Sequence, residues 1–461
     1  MEGWAANELR RTQFGDKRLR DRLIRITEAL ATKPTASVPE AFGQWSATKA
    51  AYRFWDSKRV TPAAIRAGHR DATIERIQDH GLVLAVQDTT DLDFTHHPAT
   101  KGLGPLEHPA LWGLKVHSVL SVSDQGVPLG LLHQAVWARD PEQVGKRHQR
   151  RQRETKDKES QRWLTALQSS EEGMPESTRI VTVADREADI YDLFALPRRA
   201  GSELLIRAAH NRRVNDQGYL WETVQRAPVA GEYTFTIQRK EDVPARQATM
   251  CVRFTQVMMQ PPRHRAGRSS LRVIPVYAVL AQEEAAPVGV QAVQWLLLTT
   301  LAVTTFDAAL CCVRWYSYRW LIERYHFVLK SGCNVEELQL ETAERLESAL
   351  ATYCLVAWRL LWLTYEARRS PETSCSSVLE THQWQALYCT IHHTTIPPAE
   401  PPNLQQAMRW IAQLGGFLGR KSDGQPGVKT IWRGLRRLDD IAATWQLLRP
   451  SSLSQLDTTY G

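Results

Sequence analysis

Three acidic residues, and the stripe of side chains around the last of them, hold the chemistry this chain can do. Asp88 follows the apolar run Leu82-Val83-Leu84-Ala85-Val86, and Asp185 follows Ile180-Val181-Thr182-Val183-Ala184. Glu323 sits in Tyr316-Ser317-Tyr318-Arg319-Trp320-Leu321-Ile322-Glu323, with Lys330 seven residues further on. A helix over this stretch, at about 100° per residue, sets Tyr316, Arg319, Glu323 and Lys330 within roughly 60° of one another. One carboxylate, two cations and a phenol then share a stripe that a packed core would not use. Hard divalent cations such as Mg²⁺ prefer carboxylate oxygens and keep sites open for phosphate oxygens. Two such ions about 3.5–4 Å apart support in-line displacement at phosphorus. Arg319 and Lys330 suit the phosphate oxygens themselves, the arginine through two parallel bonds. The set points to metal-dependent phosphoryl transfer on DNA.

Each residue also has a plainer reading. Asp91 and Asp93 compete with Asp88 for the first position, and Asp189 competes with Asp185. A lone aspartate after a strand is more often a cap, and a lone helical glutamate is more often a solvated charge. The combination of these residues and their order along the chain favour the chemical reading over the plainer ones.

The elements that must position these residues follow from patterning. Residues 1 to about 70 read as helical and basic, with seven basic residues between Arg10 and Arg25 against Asp16 and Asp21. Strands are expected at Leu82–Gln87, Leu114–Val122 and Leu129–Trp137, the last two joined by the turn Ser123-Asp124-Gln125-Gly126. Arg139 to Arg162 holds nine basic and five acidic residues, a mobile loop or a footprint on a phosphate backbone. Strands at Arg179–Ala184 and Glu203–Ala208 follow, then alternating β-type segments over about 212–300 that read as an insertion. The helix of Glu323, a long apolar helix and a mainly helical tail from about 371 complete the chain. The expected architecture is α/β: a ribonuclease-H-like core with a β-rich insertion, between helical N- and C-terminal domains. The expected boundaries are 1–70, 71–370 and 371–461.

Composition bounds the partners. There are 58 Lys+Arg against 50 Asp+Glu, a formal net charge of +8, which favours an anionic partner only weakly. Seven scattered cysteines form no C-x-x-C pair and read as reduced, buried thiols of a cytoplasmic protein. The N-terminus lacks a signal-peptide core, and the apolar run Ala349–Tyr365 is interrupted by Arg359, so no membrane association is expected. Glycines around 415–427 fail the phosphate-loop pattern because none directly precedes Lys421, so no nucleotide cofactor is expected.

At these residues the chain resembles the bacterial insertion-sequence DDE transposases of the IS-four type, the family of the transposon-five transposase. The signature Tyr-x2-Arg-x3-Glu-x6-Lys stands complete as Tyr316, Arg319, Glu323 and Lys330. Further matching blocks are Val86-Gln87-Asp88-Thr89-Thr90, Ala184-Asp185-Arg186-Glu187-Ala188-Asp189-Ile190, Val116–Leu120, Lys158-Glu159-Ser160 and Leu414–Ser422. Gly15-Asp16-Lys17-Arg18 through Leu23 is similar to the family's N-terminal DNA-binding helix. The 139–162 stretch departs from the pattern, being longer and more charged.

The resemblance implies cut-and-paste transposition: nicking at the element's end, hairpin formation and opening, then attack of the 3′ hydroxyl on target DNA. It implies that Asp88, Asp185 and Glu323 hold Mg²⁺, with Mn²⁺ able to replace it. It implies that Tyr316, Arg319 and Lys330 grip terminal phosphates, and that Arg207, Arg18 and Arg22 contact DNA. Trp295, twenty-eight residues before Glu323, matches a tryptophan that receives a flipped base, a role an aromatic face can fill. Double-stranded DNA, as element end and as target, and a second copy of the chain are the implied partners. The rival readings are a nuclease of the same fold without strand transfer, and an inactive DNA-binding or inhibitory relative.

Overall fold

The computed structural model describes residues 3–108, 110–143, 158–215, 218–237, 245–263, 270–287, 289–420 and 423–448. Most of the basic stretch, 144–157, therefore lies outside the described residues.

The chain opens with helices α1 (Lys17–Thr32), α2 (Trp45–Trp55) and α3 (Pro62–Ile77). Their starts are written in the sequence. The Asp16 side chain accepts the Arg18 amide, and Thr61 accepts that of Ala64 ahead of a proline in the first turn. Strands β1 (Leu82–Asp93), β2 (Trp112–Ser123) and β3 (Pro128–Trp137) form an antiparallel meander. After α4 (Gln161–Glu171), strand β4 (Arg179–Ala184) runs parallel to β1, and β5 (Ser202–Arg207) runs parallel to β4. The order β3-β2-β1-β4-β5 is that of a ribonuclease-H-like core, as patterning predicts.

The β-rich insertion expected over about 212–300 extends the core sheet itself. Strands β6 (Val229–Ile237), β7 (Arg246–Met259), β8 (Ile274–Glu283) and β9 (Gln294–Thr299) prolong the same sheet. The last of them, β9, pairs antiparallel with β5 and with β8, giving among the described residues one sheet of twelve strands once the two-residue strands Gly104–Pro105, Arg213–Val214 and Gly218–Tyr219 are included. The open edge of β5 explains this, because an unpaired strand edge accepts a further strand. Trp295 is thereby fixed in a strand next to the core.

Helices α5 (Phe306–Ser317) and α6 (Trp320–Phe327) lead into the 27-residue α7 (Ala343–Arg369), then α8 (Thr381–His392), α9 (Leu404–Leu414) and α10 (Val428–Leu448). Helix α7 is long and apolar enough to cross a membrane, yet 83% of its apolar window is buried inside the protein. It packs on α1, α3 and β3, and Trp55 donates its ring N–H to Thr352 Oγ1 at 3.2 Å. The basic N-terminal helices are thus seated on the core helix. Among the described residues, no disulfide joins any of the seven cysteines.

The expectation of one helix from Tyr316 to Lys330 is corrected. Helix α5 closes in a tight turn, with Tyr318 N–H to Trp315 O and Arg319 N–H to Tyr316 O, and α6 restarts with Arg319 as its N-cap. A π turn over Val328–Gly332 follows, closed by Cys333 N–H to Val328 O at 2.8 Å. The periodic estimate failed because both interruptions reset the angle per residue.

Candidate active site

Register brings the two aspartates together. The parallel pairing of β1 and β4 ends at Val86↔Val183. Asp88 and Asp185 each stand two residues past that last pair, Asp88 still within β1 and Asp185 just after β4, near enough for their charges to interact. Strand β1 does not end at Asp88; it runs on to Asp93, held by β2 through pairs such as Asp88↔Ser118. Its pairing with β4 has already stopped at Val86, so Asp88 lies just past the last pair of the two strands.

The competing acids are committed elsewhere. Asp91 pairs with Lys115 at 2.8 Å. Asp93 accepts both the amide and the hydroxyl of Thr95, at 2.9 and 2.5 Å. Asp189 is buried, paired with Arg212, and accepts the amides of Ala209 and His210 at 2.8 and 3.2 Å. By contrast, among the described residues Asp88 accepts a hydrogen bond only from the Thr89 amide, and Asp185 only from that of Glu187, both at 2.9 Å.

Glu323 reaches the same place from α6. Arg319 spans the gap, with Nη2 at 2.6 Å from Glu323 Oε1 and Nη1 at 4.0 Å from Asp88 Oδ2. Its guanidinium also stacks over Trp320, 4.8 Å from the ring centre. The Asp88 carboxyl is pushed up to about 7, first by burial and next by the charge of Asp185, with Glu323 adding to it. The Thr89 amide and Arg319 act against that rise and do not cancel it. A pocket of uncompensated negative charge therefore sits at the strand ends. Among the described residues, no group of three or more His, Cys, Asp or Glu side chains is placed to hold a metal ion by itself.

The other expected residues divide into near and remote. Tyr316 is buried and its hydroxyl lacks a hydrogen-bond partner among the described residues; burial raises its pKa, while the nearby Arg319 and Arg207 lower it. Trp295 lies edge-on to Tyr316 at 5.7 Å and tilted to Phe235 at 6.2 Å. Arg207 is held at this corner by the Gln294 carbonyl, 3.1 Å away. Lys330, displaced by the π turn, donates to Asp91 O at 2.9 Å and pairs with Glu336 at 3.0 Å. Arg18 and Arg22 lie on the exposed face of α1, and no contact joins either to the acids.

Sequence reasoning missed Arg162. Its Nε donates to Thr89 Oγ1 at 3.0 Å and its Nη2 pairs with Glu187 at 2.5 Å, so it ties the neighbours of both aspartates together. The charge-rich approach to α4 was visible, but no spacing singles out one arginine among nine basic residues.

Three family models match the chain: Transposase DNA-binding over residues 1–60, Transposase DDE domain over 142–359, and Transposase Tn5 dimerisation domain over 355–450. The second contains Asp185 and Glu323 and begins after Asp88. A piggyBac transposase, solved in a synaptic complex with hairpin DNA, is 10% identical with a TM-score of 0.35, over 99% of this chain and 80% of that one. So loose a likeness carries no argument.

Proposed function

Since the chain belongs to the Tn5-like DDE transposases of the IS-four family, we propose that it moves a DNA element by cut-and-paste, using Asp88, Asp185 and Glu323 to cut and join strands. The observation that supports this most is the raised Asp88 carboxyl, pushed up to about 7 by burial and by Asp185 and Glu323. Like charges gathered here favour either a proton on Asp88 or a bound cation, and a cation relieves all three carboxylates at once.

The donor set is all oxygen, partly open and short of positive charge, which fits Mg²⁺ or Mn²⁺. When bound, the ion supplies Lewis-acid activation of the scissile phosphodiester. The residues of the chain do the rest. Asp88 and Asp185, each two residues past the last pair of β1 and β4, set the spacing of the ligands. Arg319, shared between Glu323 and Asp88, is positioned to exchange a carboxylate for a phosphate oxygen as DNA enters. Water attacks phosphorus and the P–O3′ bond breaks, leaving a 3′ hydroxyl and a 5′ phosphate. The 3′ hydroxyl then displaces the opposite strand at its phosphorus, closing a hairpin that a second water opens. In the final step the regenerated 3′ hydroxyl attacks a phosphorus of target DNA, joining the strands as the target's P–O3′ bond breaks and releases a 3′ hydroxyl. Trp295, with Tyr316 and Phe235 beside it, offers a stacking face for a base unstacked at the hairpin. Residues 1–60 hold the element's end, and 355–450 pair two copies of the chain around two ends.

The test is a labelled duplex carrying the terminal repeat, incubated with a target plasmid and Mg²⁺. Joined products are expected; cutting without joining would leave only a nuclease. In the same assay Trp295→Ala should slow hairpin formation by about tenfold or more, from loss of ~1–3 kcal/mol of stacking, and leave the first nick within a few-fold. Equal loss at both steps would remove the base-holding role.

A further inference from the structure

A second cluster of cations lies outside the site above. The first half of α10 carries Lys429, Arg433, Arg436 and Arg437 and no acidic residue. At about 100° per residue these four fall within roughly 100° of arc, so they form one stripe. The stripe borders a cleft of about 650 Å³ against the end of α6, where Phe327 and Trp432 meet with ring centres 5.5 Å apart. Phe327 is 43% exposed, although it is a large apolar side chain. Among the described residues, none lining this cleft is acidic.

The cations are not equally free. Arg436 pairs with Glu40 at 2.6 Å and Arg437 donates to Leu414 O at 3.0 Å. Lys429 and Arg433 are exposed, and neither has an ion pair among the described residues. Two unneutralised cations beside an exposed aromatic floor fit a nucleic-acid backbone rather than an apolar partner.

Its place in the fold selects which DNA. Phe327 follows Glu323 by four residues on α6, about 6 Å along the axis, or roughly two base-pair rises of ~3.4 Å. The opposite wall is Thr35, within the 1–60 segment matched as transposase DNA-binding. The cleft is thus flanked by the DNA-binding segment on one side and the helix of Glu323 on the other. We propose that Lys429 and Arg433 hold the phosphate backbone of the element-end duplex, within a few nucleotides of the phosphate that is cut. This rests on the reading of the three acids given above and adds a DNA-contacting role to a segment matched only as a dimerisation domain.

The experiment measures affinity of the full chain for a labelled terminal-repeat duplex across a salt series. Each lost phosphate contact removes about 0.9 from the slope of log K against log salt. Lys429→Gln/Arg433→Gln should therefore lower the slope by about 1.8 and weaken binding by roughly tenfold per contact near 0.1 M salt. Lys429→Arg/Arg433→Lys should keep the slope, as should Arg179→Gln, which lies at the far end of β4 from Asp185. An unchanged slope in the double Gln variant would overturn the proposal. So would a loss confined to self-association, which would make a second copy the occupant, or a loss confined to target capture. Wild type failing to bind any duplex would instead undo the transposase reading itself.

Discussion

Glu323→Gln should reduce nicking of the element end at least about a thousand-fold, near 4 kcal/mol in activation free energy, while duplex binding stays within a few-fold. The separation follows from where Glu323 sits. Its side chain is 37% exposed and its only ion pair among the described residues is with Arg319 at 2.6 Å, so the amide keeps the hydrogen bond and the fold. What disappears is one carboxylate of the three gathered at the strand ends. Quantitative gels of the labelled strand, beside a binding titration, measure both effects. Nicking at the wild-type rate in this variant would remove Glu323 from the site.

The second large effect concerns stability and lies far from the chemistry in sequence. Glu8 is buried and joins two elements of the N-terminal region. It pairs with Arg76 at 2.7 Å and accepts from His69 Nδ1 at 2.5 Å. His69 Nε2 in turn accepts the Leu131 amide at 2.9 Å, so the imidazole is neutral with its proton on Nδ1. Burial lowers the His69 pKa below 6.5, consistent with that tautomer. Burial alone would raise the Glu8 carboxyl, but His69 and Arg76 outweigh it and hold it at about 2. Arg359, between the rings of Trp4 and Trp362, is shifted down to about 10 by burial, with Glu8 acting against that shift.

Glu8→Ala leaves these cations without their carboxylate and should cost roughly 3–5 kcal/mol in unfolding free energy. The pH dependence has a definite sign. A depressed carboxyl contributes stability in full above its unfolded value near 4.5 and loses it as pH falls toward about 2. The gap between wild type and variant should therefore be constant above about pH 5 and close in acid. The neutral His69, present in both proteins, withdraws stability from wild type and variant alike as pH drops below about 6.5, so it lowers both curves and not the gap between them. Urea unfolding at several pH values measures both. A gap that widens in acid would contradict this assignment.

The strands were legible because each apolar run is bounded by polar turns, and the Asp-terminated runs at 82–86 and 180–184 are the two parallel neighbours of the core. The three acids could be named because their order along the chain matches strand, strand and helix. Two features could not be read. The periodic estimate for 316–330 assumed one α-helix, whereas a tight turn and a π turn interrupt it, aiming Arg319 at the acids and Lys330 at Glu336. Contacts such as Glu8 with His69, 61 residues apart, and Arg162 with Thr89, 73 apart, exist only through tertiary packing. No local pattern encodes either of them.

The account turns on whether these carboxylates hold the ion. Asp185 accepts one backbone amide and has no ion pair among the described residues, so it is the position at which to change the ligand and little else. Asp185→Cys replaces a hard oxygen donor with a soft thiolate. The variant should bind the terminal-repeat duplex, fail to nick it in Mg²⁺, and regain nicking in Mn²⁺ or Cd²⁺. Full activity in Mg²⁺, or no recovery in any of these ions while binding persists, would contradict the assignment of Asp185 as a metal ligand.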